Sequence, residues 1–245
     1  MTMSHRAMPD VSPVGLLVFG PHPDDIEIGI GGIVAQHTAA GHRVGLCDLT
    51  RAELSSNGTP QLRQQEAAAA ARVLGAAWRE NLGWPDGGIT ASPEMIRSAV
   101  DLIRQARPRA VAIPYWEDRH PDHVAASRVL REAIFKSGLA RYENGREAWR
   151  PEWVCHYFIN DGATPSFVVD VSAVYPLKRQ ALDCFGSQFA TTEEGSVATR
   201  LTAPTFRQLI ESRDAQFGAL AGVAFAEGIV VREPLLRQDL FKDRS

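Results

Sequence analysis

The sequence predicts an α/β fold class, with a mostly parallel sheet between two layers of helices. Three observations predict it. Across residues 14–135, four short apolar runs alternate with four segments of helical character, the pattern of successive strand–helix crossovers. The first of these runs is continuously apolar, as strands covered on both faces are. Composition is that of an ordinary globular chain: of 245 residues, 44% are hydrophobic and 22% charged, which allows a sizeable core.

The elements follow in order. Val14–Phe19 (VGLLVF) is the first strand. Ile30–Ala40 carries apolar residues at helical spacing and stops at Gly41, a C-terminal signal. Arg43–Leu49 (RVGLCDL) is the second strand; Thr50–Thr59 is polar, with a turn at Asn57–Gly58. Pro60 opens an Ala-rich helix from Gln61 to Leu74, where propensity is high. Ala77–Leu82 is a weaker third strand, followed by the turn-rich Trp84–Gly88 (WPDGG). Ser92, Pro93 and Glu94 supply an N-cap, an N1 proline and a first-turn acid for a helix reaching Ala106. Arg109–Ile113 is the fourth strand, Pro114–His120 a loop, and Asp122–Phe135 a helix. The second half is less regular. Trp153–Ile159 and Ser166–Val171 read as strands, Val174–Phe185 and Thr205–Phe217 as helices, and Gly186–Pro204 as a surface loop. No repeat or low-complexity linker divides the chain. It reads as a three-layer α/β/α, Rossmann-like fold with a C-terminal elaboration: one domain over residues 14–245, preceded by a flexible extension over residues 1–13.

Bulk properties exclude several function classes. A net charge of -3 gives no basic stripe for nucleic acid. No apolar run approaches the ~20 residues of a membrane span, and MTMSHRAMPD has no signal-peptide h-region. Cys47, Cys155 and Cys184 are odd in number and form no CxxC pair, so a reduced, cytoplasmic setting is expected.

The chemistry lies in two clusters. In open α/β sheets, ligands bind beyond the carboxyl ends of the strands, near the point where strand order reverses. His22, Asp24 and Asp25 follow the first strand in GPHPDDIEIG (Gly20–Gly29), and EDRHPDH (Glu117–His123) follows the fourth. Each contains a His-Pro-Asp, and both fall at the same edge of the sheet. Imidazole and carboxylate without thiolate suit catalytic zinc, where three protein ligands leave a position for water. Such a zinc lowers the pKa of its water to ~7 and polarises a carbonyl. Adjacent aspartates can divide the work, one binding metal and one facing the water, while the cation relieves their mutual repulsion. The spacing does not say which aspartate takes which part.

HPDD at His22–Asp25 and HPDH at His120–His123 resemble the two signatures of the PIG-L/LmbE-like zinc N-deacetylases. The resemblance implies one Zn2+ per chain held by His22, Asp25 and His123, with Asp24 as general base. It implies that His120 stabilises the oxyanion, in its protonated form, and that Asp122 supports that histidine. Further segments are similar to the bacillithiol-biosynthesis branch, the N-acetylglucosaminyl-malate deacetylases: DLTRAE (Asp48–Glu53), ENLGWPDG (Glu80–Gly87), PYWEDRHPDH (Pro114–His123), PSFVVDVS (Pro165–Ser172) and SQF (Ser187–Phe189). The similar segments run from about residue 14 to 231. By resemblance, Arg51 contacts the sugar. Ala52 departs from the branch, which often has glycine there. The implied reaction is metal-assisted hydrolysis of the acetamide of a small-molecule N-acetylglucosamine conjugate, with either Asp24 or His120 protonating the leaving amine. The implied assembly is a homo-oligomer, with a hexamer as its suggested size.

Other residues have plainer readings. Glu27 reads equally as a first-turn acid or a site residue. His5, His37, His42 and His156 have no partner motif and read as structural or exposed; Cys47 reads as core packing. Trp84 reads either as a sugar platform or as a core plug. Gly29–Gly32 follows a strand and opens a helix, but a dinucleotide fingerprint needs glycine at Val34, and Asp24 and Asp25 would repel a pyrophosphate. Two other functions use similar residues: a two-metal phosphoesterase, which needs more ligands, and a sugar-binding module without catalysis.

Overall fold

The computed structural model describes residues 11–190 and 196–236. Seven strands form one sheet in the order β3-β2-β1-β4-β5-β7-β6. They are β1 (Leu16–Gly20), β2 (Val44–Thr50), β3 (Trp78–Trp84), β4 (Ala110–Pro114), β5 (Trp153–Tyr157), β6 (Phe167–Asp170) and β7 (Ala226–Val230). The first five run parallel, and β7 lies antiparallel between β5 and β6. Because β1 pairs with β2 on one side and β4 on the other, strand order reverses between β1 and β4. In open α/β sheets the ligand crevice lies at the carboxyl ends of the strands at such a reversal.

The strand pleat sorts the core into two layers. Leu16 and Val18 of β1 face the layer formed by α1 (Asp25–Ala39), α2 (Pro60–Val73), α5 (Tyr175–Asp183) and α7 (Pro204–Ala221). Leu17 and Phe19 face α3 (Pro93–Ala106) and α4 (Pro121–Ser137). Local chemistry sets the helix starts. Thr59 accepts from the Leu62 N–H at 3.2 Å ahead of Pro60, and Ser92 accepts from the Met95 N–H at 3.3 Å ahead of Pro93.

The structure departs from the sequence expectation in five places. α1 begins at Asp25, ahead of the expected Ile30. Its glycines weaken the helical signal but let the helix approach the sheet: a Cβ on Gly29 would lie 2.4 Å from Tyr157 Cδ2, and one on Gly32 2.9 Å from Val171 Cβ. That close approach accounts for both glycines without a dinucleotide. Strand β7 lies outside the sequence expectation, since Glu227 interrupts its short apolar run; the side chain is buried and accepts from the Gly32 and Ile33 N–H groups at 2.9 and 2.6 Å. The expected helix Val174–Phe185 is a 3-10 turn (Ser172–Val174) followed by α5. The expected surface loop opens with the short helix α6 (Gly186–Phe189), and Val197 is clipped to Asn57 by paired hydrogen bonds of 2.7 and 2.8 Å. Of the expected flexible extension, residues 1–10, which include His5, lie outside the described residues; Val11 is buried in the core and the Ser12 carbonyl accepts from the Trp78 indole at 2.9 Å. No helix among the described residues is long and apolar enough to cross a membrane.

Two buried ionic networks brace α1. Lys178 donates to Asp214 and Glu227, each at 2.6 Å, joining α5, α7 and β7. Arg79 bridges Glu27 at 2.6 Å and Asp48 at 2.7 Å. Glu27 is fully buried in that bridge, so it is a structural acid of α1.

Candidate active site

The site grows from two helix N-termini, where the dipole favours carboxylates. After β1 the chain turns at Asp24, whose φ of 117° lies in the left-handed region that side chains rarely adopt. Asp25 then opens α1, and its Oδ2 accepts from the His22 N–H at 2.8 Å. After β4, His120 caps α4: its Nδ1 accepts from the Asp122 N–H at 3.2 Å, with Pro121 in the first turn.

These termini bring the two clusters together. Asp25 Oδ2 lies 3.1 Å from His22 Nδ1 and 3.2 Å from His123 Nε2. A tetrahedral zinc with bonds of about 2.0–2.1 Å sets its donor atoms about 3.3 Å apart. Both separations from Asp25 Oδ2 in the set His22, Asp25 and His123 therefore fit a zinc-sized cation, and the chemistry of the three donors suits zinc. His120 brings a nitrogen within 4.8 Å of those of the other two histidines. Its Nδ1 is already engaged, and its ring stacks on His123 with centroids 4.7 Å apart.

An outer set of carboxylates addresses the far ring nitrogens. His22 Nε2 lies 3.1 Å from Asp86 Oδ1 and 3.3 Å from Asp122 Oδ2. His123 Nδ1 lies 3.1 Å from Asp118 Oδ1. The Asp122 carboxylate thus turns to His22 and to the Gly87 N–H at 2.8 Å, while its contact with His120 runs through its backbone N–H.

The electrostatics separate the two aspartates. Burial pushes Asp24 up to about 7, against the Arg63 guanidinium 2.9 Å from its Oδ2. Burial would also raise Asp25, but His123 and His22 outweigh it and hold its carboxyl far below the usual range. Burial opposes the charged form of His22 and His123; the surrounding carboxylates win, raising His22 well above its ordinary value and His123 to about 9. Burial lowers His120, with help from His123 and His22, so it is neutral at pH 7. Since Nδ1 accepts, its proton sits on Nε2.

Residues 17–134 match the family model for PIG-L, described as GlcNAc-PI de-N-acetylase. A conserved protein of Thermus thermophilus is 37% identical in sequence; the match covers 95% of this chain and all of that one, 100%, with a TM-score of 0.86. The chain belongs to the PIG-L family. Curated relatives of this PIG-L protein include a diacetylchitobiose deacetylase of Thermococcus kodakarensis, 28% identical over 87% of this chain and 81% of the relative. A 1D-myo-inositol 2-acetamido-2-deoxy-alpha-D-glucopyranoside deacetylase of Thermobispora bispora is 30% identical over 55% of this chain, which spans 56% of that protein.

The remaining residues of the PIG-L chain fall on either side of the site. Arg51 follows β2 and is exposed; a Cβ on Gly83 would lie 3.4 Å from its Nη2, which places it beside the end of β3. Ala52 has a φ of 52°, in the left-handed region that favours glycine. Trp84 is buried and donates to Ser98 Oγ at 3.0 Å, so it is a core plug. Sequence reasoning missed Asp86, Asp118 and Arg63. Asp86 stands in the WPDGG turn and also accepts from the Leu54 N–H at 2.9 Å, tying the loop after β2 to the site. Asp118 stands two residues before His120, inside the cluster already singled out. The signal for Arg63 was a charge on the buried face of an Ala-rich helix, which it shares with Glu66; Arg63 also donates to the Pro23 carbonyl.

Proposed function

We propose that the protein is a zinc-dependent N-deacetylase that hydrolyses the acetamide of a small N-acetylglucosamine conjugate, with N-acetylglucosaminyl malate as its substrate. The observation that carries this reading is that the His22 and His123 imidazoles both approach Asp25 Oδ2, with Asp24 adjacent in sequence and the His120 ring beside them, in a chain of the PIG-L family. When bound, zinc supplies a Lewis acid for the amide carbonyl and an acidified water. Asp24 would be the acceptor for the proton of the attacking water; a carboxyl raised to about 7 is matched to a base working near neutrality. His120 donates from Nε2–H to the oxygen on which charge develops, a role a neutral imidazole can fill. The Asp122 N–H fixes that tautomer. The sequence resemblance supports Arg51 as the residue whose guanidinium fork meets sugar hydroxyls or a carboxylate of the aglycone.

The malate conjugate is supported by the sequence resemblance, whereas the named relatives act on diacetylchitobiose and on an inositol conjugate. A two-metal phosphoesterase would need an independent second ligand set. The described residues offer His22, Asp86 and Asp122, which reuse His22.

The test is acetate release by zinc-loaded protein from N-acetylglucosaminyl malate, diacetylchitobiose, the myo-inositol conjugate and free N-acetylglucosamine. The malate conjugate should give the highest kcat/KM, and chelation should abolish release. Preference for another conjugate would reassign the substrate. Saturable binding without acetate from any conjugate would sink the enzymatic reading.

A further inference from the structure

We propose that Asp118 is a positioning residue that orients His123 for metal binding and fixes which of its ring nitrogens faces the metal. The proposal rests on the reading of His22, Asp25 and His123 as the ligand set. Its basis is the convergence of several groups on one carboxylate. Asp118 Oδ1 lies 3.1 Å from His123 Nδ1 and also accepts from the His120 N–H at 2.8 Å. Its two oxygens accept from the Asn160 side chain and backbone N–H, each at 3.0 Å. The Asp118 and His123 side chains are 4% and 3% exposed, so solvent does not compete for these bonds.

The chemistry follows from the acceptor. An ionised carboxylate can only accept, so His123 must carry its Nδ1 proton toward Asp118. That leaves the Nε2 lone pair as the metal donor, on the side where Asp25 Oδ2 stands 3.2 Å away. Asn160 Nδ2, 3.5 Å from the same Nδ1, is a donor and cannot replace Asp118. Its bond to Asp118 instead anchors the carboxylate to the end of β5, across the crevice edge from α4. One side chain therefore holds the His123 ring and the His120 backbone in a common frame.

The experiment measures zinc affinity by competition with a chromogenic chelator, for wild type, Asp118→Asn and Asp118→Ala. Melting of each zinc-free protein controls for folding. Loss of an outer-shell partner of this kind weakens metal binding by about 10–100-fold. Asp118→Ala should fall in that range and Asp118→Asn, which keeps an acceptor oxygen, should fall less. Zinc-free melting temperatures should change little by comparison, and excess zinc should restore much of the lost kcat/KM. If Asp118→Ala fails to fold, the isosteric Asp118→Asn carries the test. Affinities within about twofold of wild type in the folded variants would overturn the role of Asp118 while leaving the zinc site standing. A wild-type protein that binds no zinc would overturn both.

Discussion

Asp24 occupies backbone space that costs a non-glycine residue of order 1–3 kcal/mol, and such strain persists where the surroundings over-determine it. Here the start of α1 and the Arg63 guanidinium, bonded to the Pro23 carbonyl and to Asp24 itself, hold the turn in place. The strain aims two adjacent carboxylates at different partners: Arg63 for Asp24, the imidazoles for Asp25. Asp24→Asn keeps size and turn but removes the base. It should lower kcat by about 10^2–10^4-fold, the range for general acid–base groups, while bound zinc per chain stays at the wild-type value by elemental analysis. Activity near wild type would remove Asp24 from the mechanism. A second residue carries a pH effect unrelated to the site. His156 is 1% exposed, and burial, with help from Arg131 and Arg232, outweighs a hydrogen bond to the Val230 backbone and lowers its pKa to about 4. Its unfolded pKa is about 6.5, so the unfolded chain takes up the proton first. Stability is thus lost as pH falls from about 6.5 to 4, by roughly 3 kcal/mol in total. His156→Phe should flatten that loss. Urea midpoints at pH 7.5 and 4.5 test it, and equal falls for variant and wild type would exclude His156 as the source.

Among the elements, α1 carries the most consequence. It starts at a ligand, passes through the buried Glu27, and lies on the sheet by virtue of its glycines. Gly29→Ala would set a Cβ 2.5 Å from the Phe158 carbonyl as well as against Tyr157, so helix or strand must move. Overpacking of this kind costs typically 1–3 kcal/mol. Because Asp25 opens the same helix, zinc affinity should fall together with the urea midpoint. A midpoint unchanged from wild type would mean that α1 does not need this close approach. The same glycines explain why the sequence placed the start of α1 at Ile30: they dilute helical propensity while serving tertiary packing. By contrast β1, β2 and β4 and the capped helices α2 and α3 were legible, since apolar runs and N-cap residues are local signals. Strand β7 was not, because Glu227 is offset by Lys178 and two helical N–H groups remote in sequence. The site was legible where HPDD and HPDH carry it. Asp86 and Asp118 were not, because an outer carboxylate is defined by the imidazole it meets, and only the fold supplies that meeting.

At the scale of the whole molecule, the crevice between β1 and β4 gathers charge that the fold must neutralise. Asp25, Asp86, Asp118 and Asp122 all lie near His22 or His123, and both imidazoles are held toward their protonated forms. Protons and a divalent cation are therefore alternative occupants of the same acceptors. A metal-ligating imidazole must be deprotonated at its donor nitrogen, so zinc binding should release protons. His123 has its folded pKa raised to about 9, and its proton stabilises the zinc-free fold below that value. As pH falls below about 9, zinc must displace more protons, and its affinity weakens by about tenfold per pH unit for each proton released. Zinc bound to the native state at 1,000 times its Kd should add about 4 kcal/mol of stability. At a fixed free zinc concentration, the rise in Tm over the chelated protein should be large at pH 8 and shrink toward pH 6. Wild type and His123→Ala, each scanned with zinc and with chelator at both pH values, provide the measurement. A shift that grows on acidification, or one that survives intact in His123→Ala, would show that zinc binds elsewhere.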